Sequence, residues 1–228
     1  LLGSVWDHVA FDPQTKLAIS VVAGKRGKAS VKRVVRDFAD RTDQVKPQVV
    51  TTDWYKPYRE AVLEIYGELE PVPRRHRRGR SPKPRRKAPT GIVYAAVQKL
   101  RRKGRVVKVK VRPVFGTVQD AQTALAQSPV SHQINTSFVE RYNATDRHLN
   151  CRKARKVYRF SKDPELHCAA TLYTQGIYNF CRANRALNIQ TESDSRPRLI
   201  HRTPAMAARI TDHIWTVKEF VSRQACPP

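Results

Sequence analysis

The chain has 228 residues, with 44 Lys and Arg against 19 Asp and Glu, a formal net charge of +25. Its 40% hydrophobic and 28% charged residues argue against wholesale disorder, and its length suits one decorated domain or at most two small ones. No apolar run approaches the ~20 residues of a membrane span, and Leu1 to Ala10 lacks the basic start and apolar stretch of a signal peptide, so no membrane partner is expected. So high a positive charge repels itself unless a polyanion is near, which makes nucleic acid the first partner to test.

Trp6 to Phe11 and Leu17 to Val22 predict two strands. The turn Asp12-Pro13-Gln14-Thr15 joins them in an antiparallel hairpin. Ser30 to Arg41 carries Val31, Val34, Val35 and Phe38 on one helical face, with Ser30 as N-cap. Val49 to Thr52 predicts a strand that ends at Asp53. Tyr58 to Tyr66 predicts a helix with Ala61, Val62 and Ile65 inward. This order implies a mixed sheet with helices on it, 48–52 lying beside the hairpin of 4–12 and 16–23.

Pro71 to Pro89 breaks the pattern. Seven Arg and two Lys lie between Arg74 and Lys87 with no acid, and the prolines predict a mobile basic loop. Ile92 to Arg102 predicts a basic amphipathic helix. Arg105 to Val114 alternates: Val107, Val109 and Val111 on a buried face, Lys108, Lys110 and Arg112 on the other. Thr117 to Gln127 predicts a short helix stopped by Ser128-Pro129. Beyond Ser137 the chain reads as mostly helical. A long helix opens there with Arg141, Arg147, Arg152, Lys153, Arg155 and Lys156 on its outer face. A second helix over Glu165–Asn184 is expected in the core, then a loop to Arg202, then a short helix with Pro204 at its first position.

The four cysteines, Cys151, Cys168, Cys181 and Cys226, have no CxxC spacing and fit a reducing cytoplasm. His148 with Cys151, and His167 with Cys168, lack paired metal-ligand spacing. Trp6, Trp54 and Trp215 read as core or rim residues before they read as base-stacking ones. Asn179, Arg182 and Arg185 could touch DNA or cap a helix. Asp53 sits at the carboxyl end of a strand, where ligands collect in α/β sheets; capping the next helix is the plainer role. Glu140 sits in a first helical turn, where an acid favours the helix dipole.

The string Ile134 to Thr145, INTSFVERYNAT, resembles the INTSFVERxNxT signature of IS1-type DDE transposases. Four further segments resemble that family in the right order. Trp6 to Asp12, with Thr15 to Leu17 and Gly24 to Arg26, is similar to its early strands. Thr51-Thr52-Asp53 with Tyr55 and Tyr58 is similar to the strand of its second acid. Tyr178 to Arg182, and Thr203 to Ala208 with Thr211 to Trp215, are similar to its carboxyl-terminal segment. The resemblance implies an RNase H-like mixed sheet flanked by helices, followed by a helical carboxyl-terminal part. It implies 1–70 as the first part of the core and 71–130 as the basic insert and connecting elements. It implies 131–190 as core helices carrying the third acid and 191–228 as a tail.

In that family three acids hold two divalent ions, Mg²⁺ or Mn²⁺. By position, the second acid is Asp53 and the third is Glu140, both catalytic metal ligands. The expected DNA-binding residues are Arg74, Arg75, Arg77, Arg78, Lys99, Arg101, Arg102, Arg141 and Arg147. The implied partners are double-stranded transposon ends and target DNA in a prokaryotic cytoplasm, at the nucleoid, with homo-oligomerisation left open. The first acid of the family comes from an earlier strand, in a segment like VDExW, and nothing in this chain matches it. The chain opens on Leu1 and its only Met is Met206, so a missing amino end or an unusual start codon is expected. Trp54 replaces the small residue that usually follows the second acid and is expected to crowd that loop. An inactive core without its first strand is therefore expected, with Asp53 and Glu140 close enough to share one divalent ion; their burial without a counter-ion would raise their pKa, so weak and pH-dependent metal binding is expected. The competing readings are a non-catalytic basic nucleic-acid-binding protein and an RNase H-type nuclease.

Overall fold

A computed structural model of the chain describes residues 5–73, 82–154, 158–159, 161–191 and 198–223. The fold is mixed α/β, with several small sheets and helices. It divides into two compact units, one formed by residues 1–26 and 137–228, the other by 27–136. These units cut across the segments 1–70, 71–130, 131–190 and 191–228. Among the described residues no helix is long and apolar enough to cross a membrane.

Strands β1 (Val5–Phe11) and β2 (Ala18–Lys25) form the antiparallel hairpin read from the sequence, pairing His8 with Val22 and Val9 with Val21. The turn is self-assembled. The Asp12 carboxylate accepts the Gln14 and Thr15 amides, both at 3.0 Å, and the Thr15 hydroxyl. Lys16, at φ 60°, completes the reversal.

The second unit starts with α1 (Lys28–Arg41), which buries Val31, Val34 and Ala39. Its N-cap is Gly27, and Ser30 lies buried inside the helix, so the expected Ser30 cap is not made. β3 (Val49–Asp53) follows, then α2 (Pro57–Tyr66), which turns Ala61, Val62 and Tyr66 inward. Gly67 ends α2, where a Cβ would lie 2.2 Å from the Leu63 carbonyl oxygen. β4 (Glu68–Glu70) pairs with β5 (Arg85–Lys87), setting Glu68 opposite Lys87 and Glu70 opposite Arg85. Part of the expected basic loop is thus a strand, with acids opposite cations in the ladder, although the Glu68 carboxylate itself is held by Lys46 and Thr90.

The larger correction is at 92–102. The sequence reading predicts a helix there, and the structure has β6 (Val93–Arg102), paired with β7 (Arg105–Phe115). Val93, Tyr94, Ala95, Ala96 and Val97 are all buried in succession, as a strand covered on both faces requires. Parallel pairing with β3 and antiparallel pairing with β7 make β6 the central strand of its sheet. The strand at 49–53 therefore does not lie in the hairpin's sheet, contrary to the single sheet expected: its partner is the apolar run of β6. A core of Ala39, Val62, Tyr66, Ile92, Tyr94 and Phe115 lies under this sheet. α3 (Val118–Ala126) closes the unit with a reciprocal capping box between Thr117 and Asp120.

The chain then returns to the first unit with α4 (Ser137–Leu149). α4 stops at Asn150, whose side chain caps a single 3₁₀ turn over Cys151–Lys153, so the expected long helix is broken there. α5 (Pro164–Gly176), capped by Asp163, runs into a π-helical turn at Ile177–Cys181. Its buried face is Thr171, Thr174 and Gln175, while Leu166, Leu172 and Tyr173 are exposed. β8 (Ile189–Thr191) pairs with β9 (Arg198–Ile200) where a loop is expected. α6 (Pro204–Ala207) is capped by Thr203, and α7 (Val217–Ser222) by Thr216. Phe220 packs so closely on Gly176 that a Cβ there would lie 2.1 Å from the ring.

A core of Ala18, Val21, Tyr142 and Tyr178 joins hairpin to helices, with Tyr142 edge-on to Tyr178 at 4.9 Å. Amide side chains complete the joint. Gln175 Nε2 and Asn179 Nδ2 donate to the Ala18 carbonyl at 2.7 and 2.9 Å, and Ala18 N–H donates to Asn179 Oδ1 at 3.1 Å. Asn179 is therefore neither a helix cap nor a DNA contact. Asn179→Leu should cost about 1–3 kcal/mol, because it strands the Ala18 amide away from water. Urea unfolding checks this; a cost below about 0.5 kcal/mol contradicts it.

Candidate functional site

Asp53 lies at the carboxyl end of β3, one strand of a parallel pair, opposite Val97 of β6. It is exposed, and its Oδ1 faces the Tyr55 amide at 3.4 Å. The N-cap of α2 is Lys56, so Asp53 does not cap that helix. Beneath it Thr52 Oγ1 and the Tyr94 hydroxyl lie 2.8 Å apart. The half-buried Tyr58 phenol is pushed well above its ordinary pKa, first by burial and then by the Asp53 charge. Trp54 points outward and stacks under the Arg112 guanidinium at 4.9 Å, rather than crowding the acid.

Glu140 lies in the first turn of α4 and is exposed, on the same side as Arg141 and Arg147. The helix period turns Tyr142 and Asp146 inward and leaves these three outside. Neither candidate acid is buried, so the expected desolvation of the pair has no basis. Asp53 belongs to the unit of 27–136 and Glu140 to the other. The first acid has no stand-in at Asp12, whose carboxylate is spent on its own turn. Among the described residues no group of three or more His, Cys, Asp and Glu is placed to hold a metal. The residues present do not by themselves fit a two-ion centre.

Of the expected DNA-binding residues, Arg74, Arg75, Arg77 and Arg78 lie outside the described residues. Lys99 is half-buried on β6, and Arg101 and Arg102 are exposed near its end. β7 alternates as expected, but Val107, Val109 and Val111 are 62%, 52% and 43% exposed, so its apolar face is not covered. Alternation fixes which side chains share a face; burial also needs something packed on that face.

The sequence reading misses one cluster altogether. Lys153, expected on an outer cationic face, is buried. Its Nζ lies 2.5 Å from Asp146 Oδ2 and 3.1 Å from Asp7 Oδ2. Asp7 Oδ1 in turn meets His167 Nε2 at 3.0 Å. Among the described residues the buried Asp146 Oδ1 has no hydrogen-bond partner. Burial raises the Asp146 carboxyl above its ordinary pKa, and the Lys153 charge pulls it partly back. The available signal was Asn150 after Leu149, a cap residue that ends one helix and turns Lys153 inward. A second missed group is exposed: His213 lies between Asp212 at 2.6 Å and Glu219 at 3.1 Å, which raises its pKa.

Cys151, Cys168 and Cys181 are free thiols. No protein-family model, curated protein or solved structure matches the chain.

Proposed function

We propose that the chain is the core, or a remnant, of an IS1-type DDE transposase that binds double-stranded DNA at element ends and targets. The observation that carries this reading is Asp53 at the exposed carboxyl end of a strand in a parallel pair, the edge where such sheets gather ligands. The INTSFVER segment supports it, since it sets Glu140 and Arg141 on the open side of α4. The finer reading of the fold is RNase H-like. Bound divalent ions would supply an activated water or 3′-hydroxyl and stabilise the leaving oxygen. Asp53 and Glu140 answer to two of the three carboxylates of the family, and without the first acid they do not complete that centre.

The 228-residue chain is expected to bind duplex DNA without cutting or joining it. Fused to an upstream segment carrying the first Asp, it should gain Mg²⁺-dependent strand cleavage on supercoiled plasmid. Asp53→Ala or Glu140→Ala in that fusion should abolish the activity. Cleavage by the chain alone, lost on Asp12→Ala, would place the first acid at Asp12 instead. DNA binding with no cleavage from the fusion would favour the non-catalytic reading.

A further inference from the structure

We propose that the β6–β7 hairpin is a DNA-reading ribbon that enters the major groove with its Lys108 and Lys110 face toward the bases. This rests on the DNA-binding reading above and deepens it. β3 pairs only with 93–97, so 98–102 and 105–110 run on past its end as a two-stranded ribbon. Five residues at ~3.3 Å each make this extension roughly 17 Å long. The turn Lys103-Gly104, at φ 49° and 79°, is the tight kind that keeps two strands twisted together to the tip. Eight cations and no acid lie between Lys99 and Arg112. Among the described residues no acid pairs with Arg101, Arg102, Lys103, Arg105, Lys108 or Lys110.

The register decides which groups share a face. Directly opposed residues in an antiparallel pair point the same way. Lys110 therefore sits beside Gln98, Lys108 beside Leu100, and Arg112 beside Ala96. Val109 and Val111 point to the other side, where Lys99 sits beside Val109 and Arg101 beside Val106. Successive residues on one face of a strand are roughly 6.6 Å apart. That is close to the rise of two base pairs at about 3.4 Å each. The major groove of B-DNA, about 12 Å wide, admits a two-stranded ribbon, and its floor presents guanine N7 and O6 to Lys or Arg and adenine N6 and N7 to Gln. The deep, narrow major groove of A-form RNA does not admit one.

The test uses the full chain, a 24-base-pair random DNA duplex and an RNA duplex of equal length. Each cation brought into the groove, on a base edge or a flanking phosphate, neutralises about one phosphate charge and adds about −0.9 to the slope of log K against log salt. Lys108→Gln with Lys110→Gln should therefore cut the slope by about 1.8, so wild type loses about twelvefold more affinity than the variant between ~50 and ~200 mM salt. Methylation of guanine N7 should interfere with binding of the wild type and not of the double variant. Val109→Thr, on the opposite face, should change neither. Wild-type binding with an unchanged slope in the double variant and no N7 interference overturns the ribbon and leaves DNA binding standing. Equal affinity for the RNA duplex, or an effect confined to Val109→Thr, also overturns it. No binding of either duplex sinks the DNA-binding reading and the ribbon together.

Discussion

Lys153→Met is expected to cost about 3–5 kcal/mol at neutral pH, far more than the loss of an exposed lysine. The substitution leaves Asp146 buried, with Asp7 beside it, and removes the cation between them. A buried pair broken on one side strands an uncompensated charge, which is the source of that magnitude. The pH dependence follows from the same burial. The folded chain already holds the Asp146 proton more tightly than the unfolded chain does. Stability from this group therefore falls as pH rises from the ordinary carboxyl range, about 3.9, through the raised folded value. Without Lys153 the folded value rises further and the window widens upward. The deficit of the variant should be largest at pH 7–8 and shrink toward pH 4.5. His167, Tyr142 and Arg147 also face this site, so Lys153→Met should be compared with wild type at each pH. Paired urea titrations measure it; a deficit that does not change with pH contradicts the assignment.

Tyr94→Ala should cost about 3–5 kcal/mol, the range for removing a fully buried aromatic side chain. Tyr94 is 1% exposed near the start of β6, edge-on to Phe115 at 5.5 Å, with its hydroxyl 2.8 Å from Thr52 Oγ1. Tyr94→Phe keeps the ring and loses only the hydroxyl contact, so it should cost about 1 kcal/mol. The gap between the two variants separates packing from hydrogen bonding. Thr52 precedes Asp53, so Tyr94→Ala should also loosen the carboxyl end of β3. Hydrogen exchange at Thr51 to Asp53 reads this directly, and unchanged protection there would contradict it.

The elements that could be read from the sequence are those whose cause is local. Asp12 and Thr15 build their own turn, so the hairpin of β1 and β2 was legible. Thr203-Pro204 and Thr117 with Asp120 announce their helices by capping chemistry. Ile92 to Val97 was not legible, because a continuous apolar run fits a buried strand and a buried helix alike. The two-residue turn Lys103-Gly104 was the clue that favoured the strand. The pairing of β3 with β6, and its absence from the hairpin's sheet, depends on contacts no local pattern carries. Asp53 and Glu140 were placed on the right elements, yet their exposure depends on what packs nearby. Lys153 was misread because an outward face was extended past the helix's real end.

The first unit is discontinuous in the chain. Its hairpin is made before the rest of the unit, and the amides that hold Ala18 arrive much later, Asn179 being 161 residues further on. At about 5–20 residues per second, that interval lasts about 8–30 s on the ribosome. All of 27–136 emerges within it. The nascent hairpin must therefore wait with Val9, Phe11 and Val21 uncovered by the Tyr142 and Tyr178 rings that pack on them in the finished protein. A lone two-stranded hairpin is marginal in water, so the wait makes the newborn chain a client for chaperones, and a ribosome stall between Thr136 and Asn179 should send it to aggregation rather than to a folded fragment.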